Sequence, residues 1–268
     1  MKWLCFTCIF LCACYTSKAQ DWQKGDSLFA EGKYLLAAVS FERMYYESLD
    51  DKVRAGNLLK KAFCYKALSQ YDKALEALNR IRLTPRDSVM KIVSYEKVLA
   101  YYLNEDYQAS YNEVLKNKLL FGPKDPDIVC FEALNLIAVY KWKEAERLLL
   151  DNEELLELSV TDIETVFDGN KTPKNPDKAF NLSMFLPGVG QMYAGYPFKG
   201  LLSGGIQAGL VGASAYALYK GYFFTGGLTG VALFYTFYFG GARYARELAQ
   251  KRNEKDAATM SLRLQQMK

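Results

Sequence analysis

A short segment recurs four times in the first half of the chain, and its spacing constrains the fold more than any other feature. Gly32-Lys33-Tyr34 is followed by Ala37 and Phe41, and Ser69-Gln70-Tyr71 by Ala74 and Leu78. Glu105-Asp106-Tyr107 is followed by Ser110 and Val114, and Tyr140-Lys141-Trp142 by Ala145 and Leu149. The four aromatics stand 37, 36 and 35 residues apart, a period that belongs to stacked helical hairpins. The physical demand is packing: a small residue lets antiparallel helices approach, an aromatic fills the gap beside the turn, and bulky positions stack one hairpin on the next. Breakers agree with this phasing, since Pro85 follows the second unit while Gly122, Pro123 and Pro126 follow the third.

The pattern resembles the tetratricopeptide repeat family, whose unit places a small residue and an aromatic around the inter-helix turn, then an alanine and a bulky residue on the second helix. The family also prefers a small residue seven positions before the turn, which Gly25, Ala62 and Ala133 supply and Val98 does not. Its bulky position three residues later is Leu28, Tyr65, Tyr101 and Leu136. The resemblance covers residues 21–152 and implies four repeats over residues 20–157 whose stacked face grips peptides or partner domains. Four amphipathic hairpins without family ancestry are the alternative, and they lead to nearly the same function.

Residues 1–19 are expected to be a signal peptide: Lys2, an apolar stretch from Trp3 to Tyr15, and Ser17-Lys18-Ala19 as a small-x-small cleavage site. A retained anchor, or a lipidated Cys14 in Leu11-Cys12-Ala13-Cys14, are the alternatives. Cleavage would remove Cys5, Cys8, Cys12 and Cys14 and leave Cys64 and Cys130, too far apart in the repeats to pair, as small buried hydrophobes. The 34 basic and 30 acidic residues nearly balance, which gives no electrostatic footprint for nucleic acid.

After a polar connector over residues 158–178, containing Gly169, Pro173 and Pro176 and one short helix, the expected solvent changes. Residues 201–219 and 222–242 are uncharged runs close to the roughly 20 residues a spanning helix needs, separated only by Lys220 and Gly221. They predict a transmembrane helical hairpin, with a buried soluble hairpin as the alternative. Gly200 and Gly204, Gly205 and Gly209, and Gly226 and Gly230 are each four apart, which predicts glycine-mediated helix packing. Ahead of the first run, Leu186-Pro187-Gly188-Val189-Gly190-Gln191-Met192-Tyr193-Ala194-Gly195, closing with Lys199-Gly200, resembles the LPGxGQxYxGxxxKG signature of small, poorly characterised bacterial membrane domains. That resemblance spans residues 179–246 and implies a compact cluster of membrane helices without a known reaction. Pro187 and Gly188 suggest a break or re-entrant turn, with Gln191 and Tyr193 packed against the hairpin. A third crossing by residues 180–196 would move the basic tail, residues 247–268 together with Arg243 and Arg246, across the bilayer; two crossings return it to the side of the repeats.

The chain contains no histidine, and so lacks the commonest general base and metal ligand. Neither apolar run carries Asp, Glu, Lys or Arg, which argues against an ion or proton path. The expectation is an all-α protein: a helical-hairpin, tetratricopeptide-like solenoid followed by a transmembrane helical hairpin. It is expected to be neither an enzyme nor a transporter, to need no cofactor or metal, and to bind no nucleic acid. Its expected partners are the lipid bilayer and a protein, alone or within a multiprotein envelope complex, with the repeats periplasmic. The competing reading has the membrane module handling lipid or a small molecule while the repeats recruit a client.

Overall fold

The computed structural model describes residues 24–84, 87–167 and 172–267, and all regular structure among them is helical. The expected signal peptide, Pro85 and Gly169 lie outside the described residues. The chain divides into two compact units, Met1–Asn135 and Leu136–Lys268. The division falls inside a helix of the fourth repeat, so that repeat's second helix groups with the C-terminal helices.

The first unit holds α1 (24–30), α2 (Tyr34–Glu47), α3 (Asp51–Ala67), α4 (Tyr71–Asn79), α5 (Ser88–Leu103), α6 (Tyr107–Phe121) and most of α7 (Pro126–Ala138). Each of α2 to α5 packs on the helix that follows it. Asp50 caps α3 by accepting from the Lys52 and Val53 amides, and Asp106 caps α6 by accepting from Ala109.

The recurring segment builds one turn four times. Gly32, Ser69, Glu105 and Tyr140 all adopt the left-handed conformation, with φ of 74°, 56°, 61° and 63°. The next residue's amide reaches back five positions in every case: Lys33 to Leu28, Gln70 to Tyr65, Asp106 to Tyr101 and Lys141 to Leu136, at 2.8 to 3.0 Å. This is the paired hydrogen-bond turn that satisfies the last carbonyls of a helix, and it favours glycine. Three of the four positions are not glycine and carry a backbone cost of about 1–2 kcal/mol each, which the surrounding packing overrides.

Packing volumes compensate across the repeats. A Cβ added to Gly25 would lie 2.9 Å from the Phe41 ring, so the smallest residue faces the largest partner. In the third unit Val98 shares a cluster with the smaller Val114, and in the second Ala62 shares one with Leu78. The branched Val98, where the other recurring segments have glycine or alanine, is therefore accompanied by a residue one carbon smaller in its cluster.

The second unit holds the end of α7, α8 (Trp142–Leu150), α9 (Glu153–Leu156), α10 (Val160–Phe167), α11 (Pro176–Phe185), α12 (Val189–Tyr193), α13 (Pro197–Tyr219), a π-helical segment (Phe224–Thr229) and α14 (Gly230–Gln266). The connector's short helix, α10, buries Ile163, Val166 and Phe167 and packs on α8 and α14. Residues 247–266 continue α14 without a break. They bury Leu248, Ala249, Asn253, Ala257, Met260 and Leu264, so the basic tail presents a buried face as well as a polar one.

Candidate functional site

The residues singled out by the recurring segment differ in burial. Ala37, Ala74 and Ala145 are buried, as are Phe41, Leu78, Leu149, Ala62, Ala133 and Trp142. Ser110, which stands where the other repeats have alanine, donates its hydroxyl to the Val98 carbonyl at 2.9 Å, so a polar group fits an apolar slot. Tyr34, Tyr71 and Tyr107 are only half-buried beside their turns, and Phe29 and Tyr102 meet Tyr34 and Tyr107 edge to face.

Surface electrostatics in this unit converge on Glu42. Lys61 and Arg80 each donate to its carboxylate at 2.7 Å, while Arg54 and Arg80 both lie 4.6 Å from the centre of the Tyr45 ring. Partial burial pushes the Glu42 carboxyl up, but the two cationic donors outweigh it and hold it below the usual carboxylate range. Burial pushes the Cys64 thiol up to about 11. Cys130 is only partly buried, which corrects the expectation that both cysteines are core residues. A second feature is apolar and open: Leu35, Val39 and Tyr46 share one face of α2 and are 56%, 68% and 72% exposed.

The segment from Leu186 to Gly200 forms part of a polar hub. α11 ends at Phe185, Leu186 is extended, and Gly188 takes φ +95° to start α12. Gln191, fully buried on α12, accepts from the Ser183 hydroxyl of α11 at 2.9 Å. Its amide nitrogen donates to Ser203 of α13 at 3.3 Å and to the Gly241 carbonyl of α14 at 3.0 Å. One side chain thereby ties four helices. Tyr193 accepts from the Asn175 amide through its hydroxyl, and Gly195 repeats the left-handed turn of the solenoid segments. Lys199 donates to the Tyr244 hydroxyl at 2.9 Å.

Glycine makes the hub close. A Cβ on Gly190 would meet the Ala179 carbonyl, one on Gly188 the Gly200 carbonyl, and one on Gly200 the Gly188 carbonyl, each at under 3.0 Å, where real Cβ atoms are not found. Gly204 receives the Pro187 carbonyl. Gly226 and Gly230 receive Ser214 and Leu218 from α13, so the two long elements do approach through glycine. Gly205 and Gly209 do not take part: nothing lies within 4 Å of a Cβ at either, and the packing role expected for them is corrected. Spacing of four puts residues on one face but does not say which face meets a neighbour.

Several residues of the hub escaped the motif. Ser183 and Ser203 lie at its flanks, and Tyr238 donates its hydroxyl to the Met184 carbonyl. Asn253 clamps the chain before α11, accepting from the Lys174 amide at 2.7 Å and donating to the Lys174 carbonyl at 2.8 Å. Gln207 of α13 is buried, with its carbonyl oxygen unpartnered among the described residues. A groove of about 560 Å³ between α13 and α14 includes Gln207 in its lining. A polar residue inside an otherwise uncharged run was the available signal for Gln207.

α13, at 23 residues, is long and apolar enough to cross a membrane, and almost none of it is covered by the rest of the chain. Of residues 222–242, expected as a second span, 224–229 form the π-helical segment and 230–242 the start of α14. Comparison with protein families, curated proteins and solved structures found no match.

Proposed function

We propose that this protein is a membrane-anchored scaffold of the cell envelope, whose tetratricopeptide-like repeats hold a partner protein while the hairpin of α13, the π-helical segment and α14 fixes it in the bilayer. The observation that carries the reading is the uncovered apolar surface of that hairpin. Leu201, Val211, Tyr216, Val231 and Tyr235 are exposed, and exposed apolar surface on this scale calls for lipid or a partner. The hub supports it too, because backbone breaks within a bilayer are tolerated where protein buries them, and Gln191 with the glycines buries this one. Aromatics Tyr219, Tyr222, Phe223 and Phe224 are exposed at the hairpin tip, suited to an interfacial belt.

Partner binding is supported by the stripe on α2, an apolar face on a unit otherwise latticed by ion pairs such as Lys60–Asp26 and Lys61–Glu42. The test places a photo-reactive phenylalanine analogue at Leu35, Val39 or Tyr46 of the full chain in its native cells. A discrete protein adduct that disappears in Leu35→Asp, with the chain still in the membrane fraction, is the expected result. No adduct from any of the three positions would reject the scaffold reading.

A further inference from the structure

A layer of cations and aromatic rings closes the C-terminal helical cluster at the level where α11 and α13 begin. Lys174 and Lys178 lie 5.2 and 5.4 Å from the centre of the Tyr193 ring. Lys199 lies 4.9 and 5.3 Å from the centres of the Tyr196 and Tyr244 rings and donates to the Tyr244 hydroxyl, which joins α13 to α14. Arg246 covers Phe180 at 4.6 Å and pairs with Asp177 at 2.9 Å, which joins α14 to the start of α11. Arg243, one turn before Arg246, is exposed. The contacts make one collar around three helices.

Its charge is not balanced from within. Lys174, Lys178, Lys199 and Arg243 have no ion pair among the described residues, and Asp177 answers Arg246 alone. Glu247 and Asp256, farther along α14, pair with Lys251 and Arg252. The repeats differ: Lys60, Lys61, Lys66 and Arg80 are each held by a carboxylate of a neighbouring helix. Like charges gathered without counter-charge repel, and an anionic partner relieves that repulsion.

The collar is also placed where headgroups would lie. Lys199 and Tyr219, near the two ends of α13, are twenty residues apart, a rise of about 30 Å that equals the hydrocarbon thickness of a bilayer. Between residues 200 and 242 the only charged side chain is Lys220, at the aromatic tip. Phe198, Leu201 and Leu202, beside Lys199 on α13, are exposed, so a lipid whose headgroup meets the collar lays its chains on apolar surface. A soluble anion would use the charge and leave that surface bare.

We propose that the collar binds the headgroups of anionic phospholipids. Lysine stems lie along the tyrosine rings with their ammoniums at the phosphate level, the arrangement long cationic side chains take at an interface. This deepens the scaffold reading and rests on its membrane anchor, naming the lipid the anchor selects.

The test titrates the full chain in detergent with dioleoyl phosphatidylglycerol and dioleoyl phosphatidylcholine, followed by native mass spectrometry. The acyl chains are identical, so any preference belongs to the headgroup. Wild type should bind phosphatidylglycerol at least about fivefold more tightly, the share of one cation near an anionic surface. Lys178→Gln, Lys199→Gln and Arg243→Gln should each reduce that preference, the three together should abolish it, and Lys199→Arg should keep it. Lys220→Gln removes the same charge at the opposite end and should change nothing. Melting curves of all variants check that the fold persists. Equal binding of the two lipids by wild type, a preference retained by the triple variant, or a loss in Lys220→Gln as large as in Arg243→Gln would each overturn the proposal. Displacement of phosphatidylglycerol by an equal concentration of inorganic phosphate would overturn it too, because the site would then take a soluble anion. Carbonate extraction of cell membranes reports separately on the anchor, so either reading can fail without the other.

Discussion

Replacing Gly190 by alanine places a methyl group against backbone that cannot turn away. The added Cβ would lie 2.9 Å from the Ala179 carbonyl carbon and closer still to its oxygen, while ordinary contact begins at 3.4 Å. The Ala179 carbonyl belongs to α11, so α11 and α12 must part by roughly 1 Å or more, and overpacking of this kind costs about 1–3 kcal/mol. Parting also stretches the bond from the Gly190 amide to Ser183, now 3.1 Å, and that from Ser183 to Gln191, now 2.9 Å. Each is a buried hydrogen bond with a net value of about 0.5–1.5 kcal/mol. The expected loss is therefore about 2–6 kcal/mol, read as a fall of roughly 5–20 °C in the melting temperature in detergent. Gly205→Ala and Gly209→Ala are the controls, because an added Cβ at either meets nothing within 4 Å, and neither should melt below wild type. If Gly190→Ala melts like wild type, or if Gly205→Ala falls as far, the hub does not hold these helices together.

Glu105→Gly should leave stability unchanged or raise it by up to about 1 kcal/mol, because relief of a left-handed side chain is offset by the chain entropy of glycine; a clear drop on thermal melting would mean the turn is not left-handed. Ala74→Trp should destabilise the first unit by about 1–3 kcal/mol or more, since Ala74 is 1% exposed in a closed cluster; an unchanged melt would break the repeat register. Glu42→Gln should cost about 1–3 kcal/mol at pH 7, where the carboxylate accepts from Lys61 and Arg80. Its folded pKa is lowered from 4.5, so this stability is present above that value and disappears as pH falls through the folded pKa. The wild-type and variant denaturation midpoints should therefore converge in acid, and a gap that persisted or widened there would reverse the assignment.

The repeat was legible because one turn imposes several demands at fixed offsets: a left-handed residue, an aromatic two positions on, and buried alanine and bulky positions beyond it. Only Gly32 showed the backbone requirement outright; Ser69, Glu105 and Tyr140 hide the same conformation behind side chains that packing forces into it. In the C-terminal unit the Pro187–Gly188 break and the inward Gln191 were legible from the motif. The length of α14 was not. Arg243 ends the uncharged run, yet the buried positions Ala245, Leu248, Ala249, Asn253, Ala257, Met260 and Leu264 carry a helical period straight through it. The end of the uncharged run at Arg243 therefore does not mark the end of the helix. Gly205 and Gly209 failed for a different reason, since a small-residue stripe is equally consistent with a packed face and an open one.

The central claim, that the α13–α14 hairpin lies in lipid, is tested most directly by depth. Spin labels at Val211→Cys, Val231→Cys and Gln250→Cys would be introduced one at a time into the full chain, with its native cysteines replaced by alanine, and reconstituted in bilayers. Accessibility to dissolved oxygen and to a water-soluble nickel chelate is then compared at each site. Val211 and Val231 are exposed on the apolar elements, whereas Gln250 is exposed on the charged half of α14. The account predicts high oxygen and low nickel accessibility at the first two and the reverse at Gln250. High nickel accessibility at Val211 and Val231 would place the hairpin in water and contradict it.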